Sequence, residues 1–252
     1  MLYEMIDERV QSDVDVLSEE RGVAAVAARG LFKQYTGGDG GVIHVLEGVD
    51  LELRAGEAVA VIGESGTGKS TLLHILGGLD RPSAGEVRVG EDMLWRLSDE
   101  ALTHLRNRRL GFVFQFHHLL REFTAVENVM MPLLLAGIGW APARERSREL
   151  LARVGLDRRF EHKPGQLSGG EQQRVAVARA LIARPVVVLA DEPAGNLDPE
   201  TGERLHDILL EACRERGAAM VLVTHNRELA ARADRVLRLE GGQLLPALAA
   251  PL

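Results

Sequence analysis

Apolar residues fall into two kinds of pattern along the chain. Ala58–Ile62, Val186–Ala190 and Ala219–Val223 are continuous apolar runs. Runs of that length without alternation predict strands buried on both faces, as in a parallel sheet. Residues 86–89 (Glu-Val-Arg-Val) alternate and predict another strand. Residues 25–62 hold further short β-like runs, separated by glycine-rich turns such as Gly37–Gly41. The helical pattern begins at Lys69 and runs to Leu76, where Gly77-Gly78 predicts a stop. From about residue 97 to 180 the pattern is helical. Within that stretch Glu145–Val154 is amphipathic, with Leu150, Leu151 and Val154 on one side and Gly155 as a C-cap. The order predicts an α/β sheet interrupted by a helical insertion at about 97–180. One folded domain is expected over residues 25–243. It is flanked by a polar extension, 1–24, with the character of a frayed helix, and by an irregular tail, 244–252.

Composition narrows the picture. The 252 residues are 46% hydrophobic and 27% charged, which suits a globular protein with a buried core. Only 4% are aromatic, so that core must be aliphatic. The net charge of −7 argues against a nucleic-acid partner, which would call for a basic stripe. Cys213 is the single cysteine, so no intramolecular disulfide forms. The first twenty residues are acidic and lack the basic start and apolar run of a signal peptide. The longest nearly apolar stretch, Val129–Ala143, is too short to span a membrane and carries Pro132. A cytoplasmic protein is expected, reaching a membrane only through a partner.

The chemistry begins at Gly63-Glu64-Ser65-Gly66-Thr67-Gly68-Lys69-Ser70, a GxxxxGK[ST] pattern between a buried strand and a helix. Glycines let backbone N–H groups approach phosphate oxygens, and the helix N-terminus adds positive potential. Lys69 would reach the β- and γ-phosphates, Ser70 would offer a hydroxyl to Mg²⁺, and Thr71 would bond a phosphate oxygen. The plain alternative is a glycine-rich turn with no ligand, but pattern and context together favour phosphate. The run Val186–Ala190 ends in Asp191-Glu192. Ligands of α/β sheets gather at the carboxyl ends of strands. Asp191 would hold Mg²⁺ through water, and Glu192 would face the water attacking the γ-phosphate. Alone, two acids there would read as a solvated strand end; beside a phosphate loop they read as catalytic.

Leu167-Ser168-Gly169-Gly170-Glu171-Gln172 matches the LSGGQ-type signature of ABC ATPases, about a hundred residues after the phosphate loop. Gln115, within Phe112–Phe116, resembles that family's Q-loop; Gly195-Asn196-Leu197-Asp198 resembles its D-loop, and His225 its switch histidine. Tyr35 stands where the family places an aromatic against adenine. The resemblance covers residues 25–240. It implies a P-loop NTPase fold with a RecA-like core, an antiparallel β subdomain and a helical signature subdomain. It also implies ATP and Mg²⁺ as ligands and hydrolysis by two copies paired head to tail. Ser168, Gly169 and Gly170 would then face the γ-phosphate held by the other copy. Gln115 would contact Mg²⁺ and the attacking water, and His225 the γ-phosphate. By local chemistry Ser168 and Glu171 also predict a capping box. Two departures stand out: Ala194 where relatives often carry Thr, and Asn226 where Asp is common.

Gln115–Leu120, Phe123–Val129 and Leu72–Asp80 most resemble the ATPase subunits of bacterial lipoprotein-releasing transporters. That implies two membrane-embedded permease subunits as partners and a peripheral place on the cytoplasmic face of the inner membrane. Macrolide-exporter and cell-division ATPases share most of these motifs and are the neighbouring alternatives. A soluble ABC ATPase acting on DNA or ribosomes fits less well. The gap before the signature leaves no room for a long coiled coil, and the chain has one cassette. A binding-only switch is disfavoured by Glu192 and His225.

Overall fold

The computed structural model describes residues 24–38 and 40–247. The expected extension, apart from Ala24, and the last five residues of the tail lie outside the described residues. A four-stranded antiparallel sheet has the order β2-β1-β4-β5, from β1 (Val26–Thr36), β2 (Val42–Leu53), β4 (Ala84–Val89) and β5 (Asp92–Met93). A six-stranded sheet has the order β10-β9-β3-β8-β7-β6. Its parallel strands are β3 (Ala58–Ile62), β6 (Leu110–Phe114), β7 (Val187–Asp191), β8 (Ala219–Val223) and β9 (Arg235–Glu240). β10 (Gln243–Pro246) pairs antiparallel with β9.

β3, β6, β8 and β7 as far as Ala190 are apolar because both their faces are covered, whereas β9 exposes Arg235, Arg238 and Glu240. Val59, Val61, Val187, Leu189, Val221 and Val223 point into a core shared with the antiparallel sheet. Two short helices, α1 (Lys69–Leu76) and α2 (Asp99–Arg109), supply Leu72, Ile75, Leu102 and Leu105 to the same core. The alternate residues Val188, Ala190, Met220 and Leu222 face a second core. Its other walls are α3 (Ala125–Leu135), α4 (Trp140–Arg153), α5 (Gly169–Leu181) and α6 (Pro199–Glu215). Each valine, leucine, isoleucine or methionine among them that is fully removed from water contributes roughly 1.5–3 kcal/mol.

Three expectations change. The stretch 97–180 is not wholly helical: Leu110–Phe114 is a strand, pairing in parallel with β7. Its five residues carry no signal beyond a short apolar run, and its strand partner, β7, lies far along the chain. α4 begins at Trp140, not Glu145. The sheet continues through Pro246, past the expected boundary at 243.

One buried amide closes the loop between β6 and α3. Asn128 is fully buried. Its Oδ1 accepts from Leu120 N at 2.8 Å, and its Nδ2 donates to the carbonyls of Leu120, Phe123 and Thr124 at 3.1, 3.1 and 3.0 Å. Asn128→Ala strands these groups, and the expected loss of stability is about 2 kcal/mol. Urea denaturation checks this: the midpoint falls with an unchanged m-value.

Candidate functional site

Four strand ends bring the candidate residues to one edge of the parallel sheet. Val61 of β3 stands opposite Val223 of β8, Asp191 of β7 also opposite Val223, and Phe114 of β6 opposite Asp191. The residues that follow these positions are therefore neighbours: Gly63 to Ser70, Gln115, Glu192 and His225.

The loop from β3 to α1 is shaped by glycines. Gly68 has φ 99°, and a Cβ there would lie 2.5 Å from Val45 Cγ1. A Cβ on Gly63 would meet Leu239 O at 2.6 Å. Gly66 also has positive φ, at 80°. Thr67 Oγ1 donates to Glu64 O at 2.9 Å. Glu64, Ser65, Gly66 and Ser70 are exposed, and Thr71 is half-buried. Lys69 is buried, and its ammonium donates to the carbonyls of Gly63 (2.9 Å) and Glu64 (2.7 Å). The cation is thus folded back over the loop that precedes it.

At the tip of β7, Glu192 adopts φ 45°, a left-handed conformation that costs a non-glycine residue energy and that clusters at functional sites. Its N–H donates to Val223 O at 2.9 Å. That bond ties the tips of β7 and β8 together and holds the carboxylate at the loop carrying His225. Glu192 Oε1 and His225 Nδ1 are 2.9 Å apart. The carboxylate side chain is 17% exposed and the imidazole 72%. Gln115 and Asn196 exchange two hydrogen bonds: Gln115 Nε2 donates to Asn196 Oδ1 at 3.2 Å, and Asn196 Nδ2 to Gln115 O at 3.1 Å. A cavity of about 190 Å³ opens beside these loops, lined in part by Glu192, Gly195, Asp198 and His225. Asn226, the second departure, caps the short helix α7 (Arg227–Ala230); its Oδ1 accepts from Glu228 N and Leu229 N. Ala194 packs against Gly202, so the smaller side chain lies where the chain runs close to α6.

The signature residues are organised by their own helix. Ser168 Oγ accepts from Glu171 N at 3.2 Å, and Glu171 Oε2 accepts from Ser168 N at 2.8 Å, which is the expected capping box. Gly170 lies so close to α6 that a Cβ would meet Thr201 Cγ2 at 2.6 Å. Among the described residues, no hydrogen bond links Ser168, Gly169 or Gly170 to the phosphate loop of the same chain. Tyr35, at the end of β1, donates its hydroxyl to Asp80 Oδ2 at 2.6 Å.

Asp80, Lys33 and Asn196 were not expected as partners of site residues. One signal was present: Lys33 and Tyr35 are two apart on a strand and so share a face.

Glu127 and Glu171, the carboxylates of two capping boxes, are held below the usual range, first by backbone N–H groups of Thr124 and Ser168 respectively. A lowered folded-state value stabilises the fold above the unfolded value near ~4.3 and is lost as pH falls through the folded one. Thermal melts should therefore fall off below about pH 4.3, less steeply in Glu127→Gln than in the parent. Cys213 is buried, and burial pushes its thiol up to about 12, so it is inert near neutral pH.

A glycine-shaped phosphate loop, an acid pair at the next strand but one and a capped signature helix are features of ATP-binding cassettes. The chain belongs to the ABC transporter family, whose sequence profile it matches over residues 46–195. It is 55% identical over 215 residues to the lipoprotein-releasing system ATP-binding protein LolD of Geobacter metallireducens, covering 85% of this chain and 95% of that protein. It is 53% identical over 214 residues to the LolD of Legionella pneumophila (strain Paris), covering 85% and 94%. The fold matches the dimeric structure of MJ0796, a bacterial ABC transporter cassette, with a TM-score of 0.80 and 40% identity over 87% of this chain and 96% of that one. A post-hydrolysis dimer of MJ0796 bound to ADP and Pi matches equally well. The expected P-loop ABC ATPase fold is the observed one.

Proposed function

We propose that this chain is the ATP-hydrolysing subunit of a lipoprotein-releasing ABC transporter, powering transfer of lipoproteins from the inner membrane toward the outer membrane. It works as a head-to-tail pair beneath two membrane-embedded permease subunits, on the cytoplasmic face of the inner membrane. No helix among the described residues is long and apolar enough to cross a membrane, in keeping with a peripheral place. The observation that carries the enzymatic part is the 2.9 Å contact between Glu192 and His225, on the same sheet edge as the Lys69 loop. Likeness to the LolD proteins over nearly their whole length supports the lipoprotein part.

In this reading the phosphates of ATP lie against the N–H groups of residues 65–71, and Lys69 exchanges its two carbonyl partners for β- and γ-phosphate oxygens. The donor set fits Mg²⁺. Ser70, Gln115 and Asp191 offer only hard oxygen atoms, with a single carboxylate, as suits an ion that keeps waters and leans on substrate phosphates. When bound with the nucleotide, Mg²⁺ neutralises phosphate charge. Glu192 accepts a hydrogen bond and then the proton from the attacking water, and its fixed backbone aims it there. His225 steadies the γ-phosphate. Ser168, Gly169 and Gly170 of the second copy close the site from the other side, which accounts for their separation from the phosphate loop within one chain. Tyr35 carries the adenine.

The transport assignment is tested by tagging the chain, solubilising native membranes in mild detergent and identifying what copurifies. Membrane-spanning subunits with bound lipoprotein support it. Membrane subunits carrying a small amphiphile or a cell-wall enzyme favour the exporter or cell-division alternatives, and ribosomes or DNA overturn the transport reading.

A further inference from the structure

The ring of Tyr35 is held by more than its own strand. Its hydroxyl donates to Asp80 Oδ2 at 2.6 Å, and the other oxygen of Asp80 accepts from Lys33 Nζ at 2.6 Å. Lys33 also donates to Arg81 O at 2.7 Å. Its ammonium is buried and stands 4.6 Å from the centroid of the Tyr35 ring, covering one face. The residue remains 41% exposed, which leaves the other face for a ligand. A cation behind an aromatic ring is attracted by its π-density and fixes its plane. Burial would raise the Asp80 carboxyl, but hydrogen bonds from Lys33 and Tyr35 and the Lys33 charge hold it below the usual range. Asp80 therefore stays an anion and keeps accepting both bonds.

Asp80 is itself anchored to the helix that begins at the phosphate loop. The N–H groups of Leu79 and Asp80 both donate to His74 O in the last turn of α1, at 2.8 and 3.2 Å. The ring is thus tied, through Asp80, to the same eight-residue helix whose N-terminus would hold the phosphates.

We propose that Asp80 and Lys33 are positioning residues that fix the plane of the Tyr35 ring as the seat of the adenine base, in register with the phosphate loop. The proposal rests on the ATPase reading above and deepens it. A pre-ordered ring spares the nucleotide the entropy of ordering a half-exposed tyrosine. The gain is confined to ligands that carry a base.

Four measurements decide it: KM and kcat for MgATP, and affinities for ATP and for inorganic tripolyphosphate, which has no base. They are made on the full-length chain and on Asp80→Asn, Tyr35→Phe, their double variant and Tyr35→Ala. Tyr35→Phe keeps the ring and the Lys33–Asp80 pair while removing only the phenol donor, so it reports even if Asp80→Asn folds poorly. The expectation for Asp80→Asn and Tyr35→Phe is a KM about three- to tenfold higher, with kcat within about twofold. Tripolyphosphate affinity should hold within about twofold, and the double variant should resemble either single one. Weakening of tripolyphosphate and ATP alike would make the network merely structural and overturn the proposal. If Tyr35→Ala weakens ATP but Tyr35→Phe does not, stacking stands and the positioning role falls. If Tyr35→Ala leaves ATP affinity intact, the adenine seat itself is wrong.

Discussion

Glu192→Gln is expected to bind MgATP as the parent does and to lose hydrolysis by about 10²- to 10⁴-fold. The substitution keeps the size of the side chain and leaves the backbone bond from residue 192 to Val223 O in place. A glutamine still hydrogen-bonds His225, but it cannot accept a proton from water. The charges around the phosphates, above all that of Lys69, are untouched. ATP therefore remains as the link between two copies and the pair no longer opens. Light scattering with MgATP should report twice the 27.5 kDa of one chain, persisting for as long as the nucleotide does. Turnover near the parent rate would remove Glu192 from the role of base. Lost ATP binding would mean that the carboxylate supports the site structurally.

Lys69→Ala acts one step earlier. The ammonium now donates to two carbonyls within its own loop, at 2.9 and 2.7 Å. Those partners belong to a short exposed loop, so the fold should survive the change. ATP binding should not: two charge-assisted hydrogen bonds at roughly 1.5–3 kcal/mol each correspond to a loss of at least about 10²-fold in affinity. Calorimetric titration with MgATP should show the loss, and the thermal stabilisation that ATP gives the parent should vanish with it. An unchanged affinity would contradict the phosphate cradle.

These two predictions concern residues legible in the sequence, whereas their surroundings were not. The helix Lys69–Leu76 and the strands Ala58–Ile62 and Ala219–Val223 could be read to the residue, because a glycine (Gly77, Gly63) or a polar residue (Thr224) follows each one. Leu110–Phe114 could not, since a five-residue edge strand depends on a partner at Val187–Asp191. The start of α4 was hidden because Trp140-Ala141-Pro142 carries no capping side chain; Gly139 stands at its N-cap. Within the site, single residues were marked by motif, but which of them meet was not. Gln115 meets Asn196 eighty-one positions away, Tyr35 meets Asp80 at forty-five, and Glu192 meets His225 at thirty-three. The first and third pairs arise where strands far apart in sequence end side by side, and the second where β1 meets the turn after α1. Asn128 is a polar residue in a largely apolar helix, and its burial shows that it holds a loop together.

The central claim is that one catalytic site is completed by two chains. Mixing two inactive variants tests it most directly. Ser168→Asp keeps a good N-cap for α5 but turns a negative charge toward the γ-phosphate of the opposite copy. Glu192→Gln keeps its signature and lacks the base. A mixed pair contains one site with an intact phosphate loop and Glu192 from the first chain and an intact signature from the second. ATP hydrolysis by the mixture should rise well above that of either variant alone. No rise on mixing, in samples where one tagged variant captures the other in the presence of MgATP, would place the signature in the same site as its own phosphate loop and contradict the account.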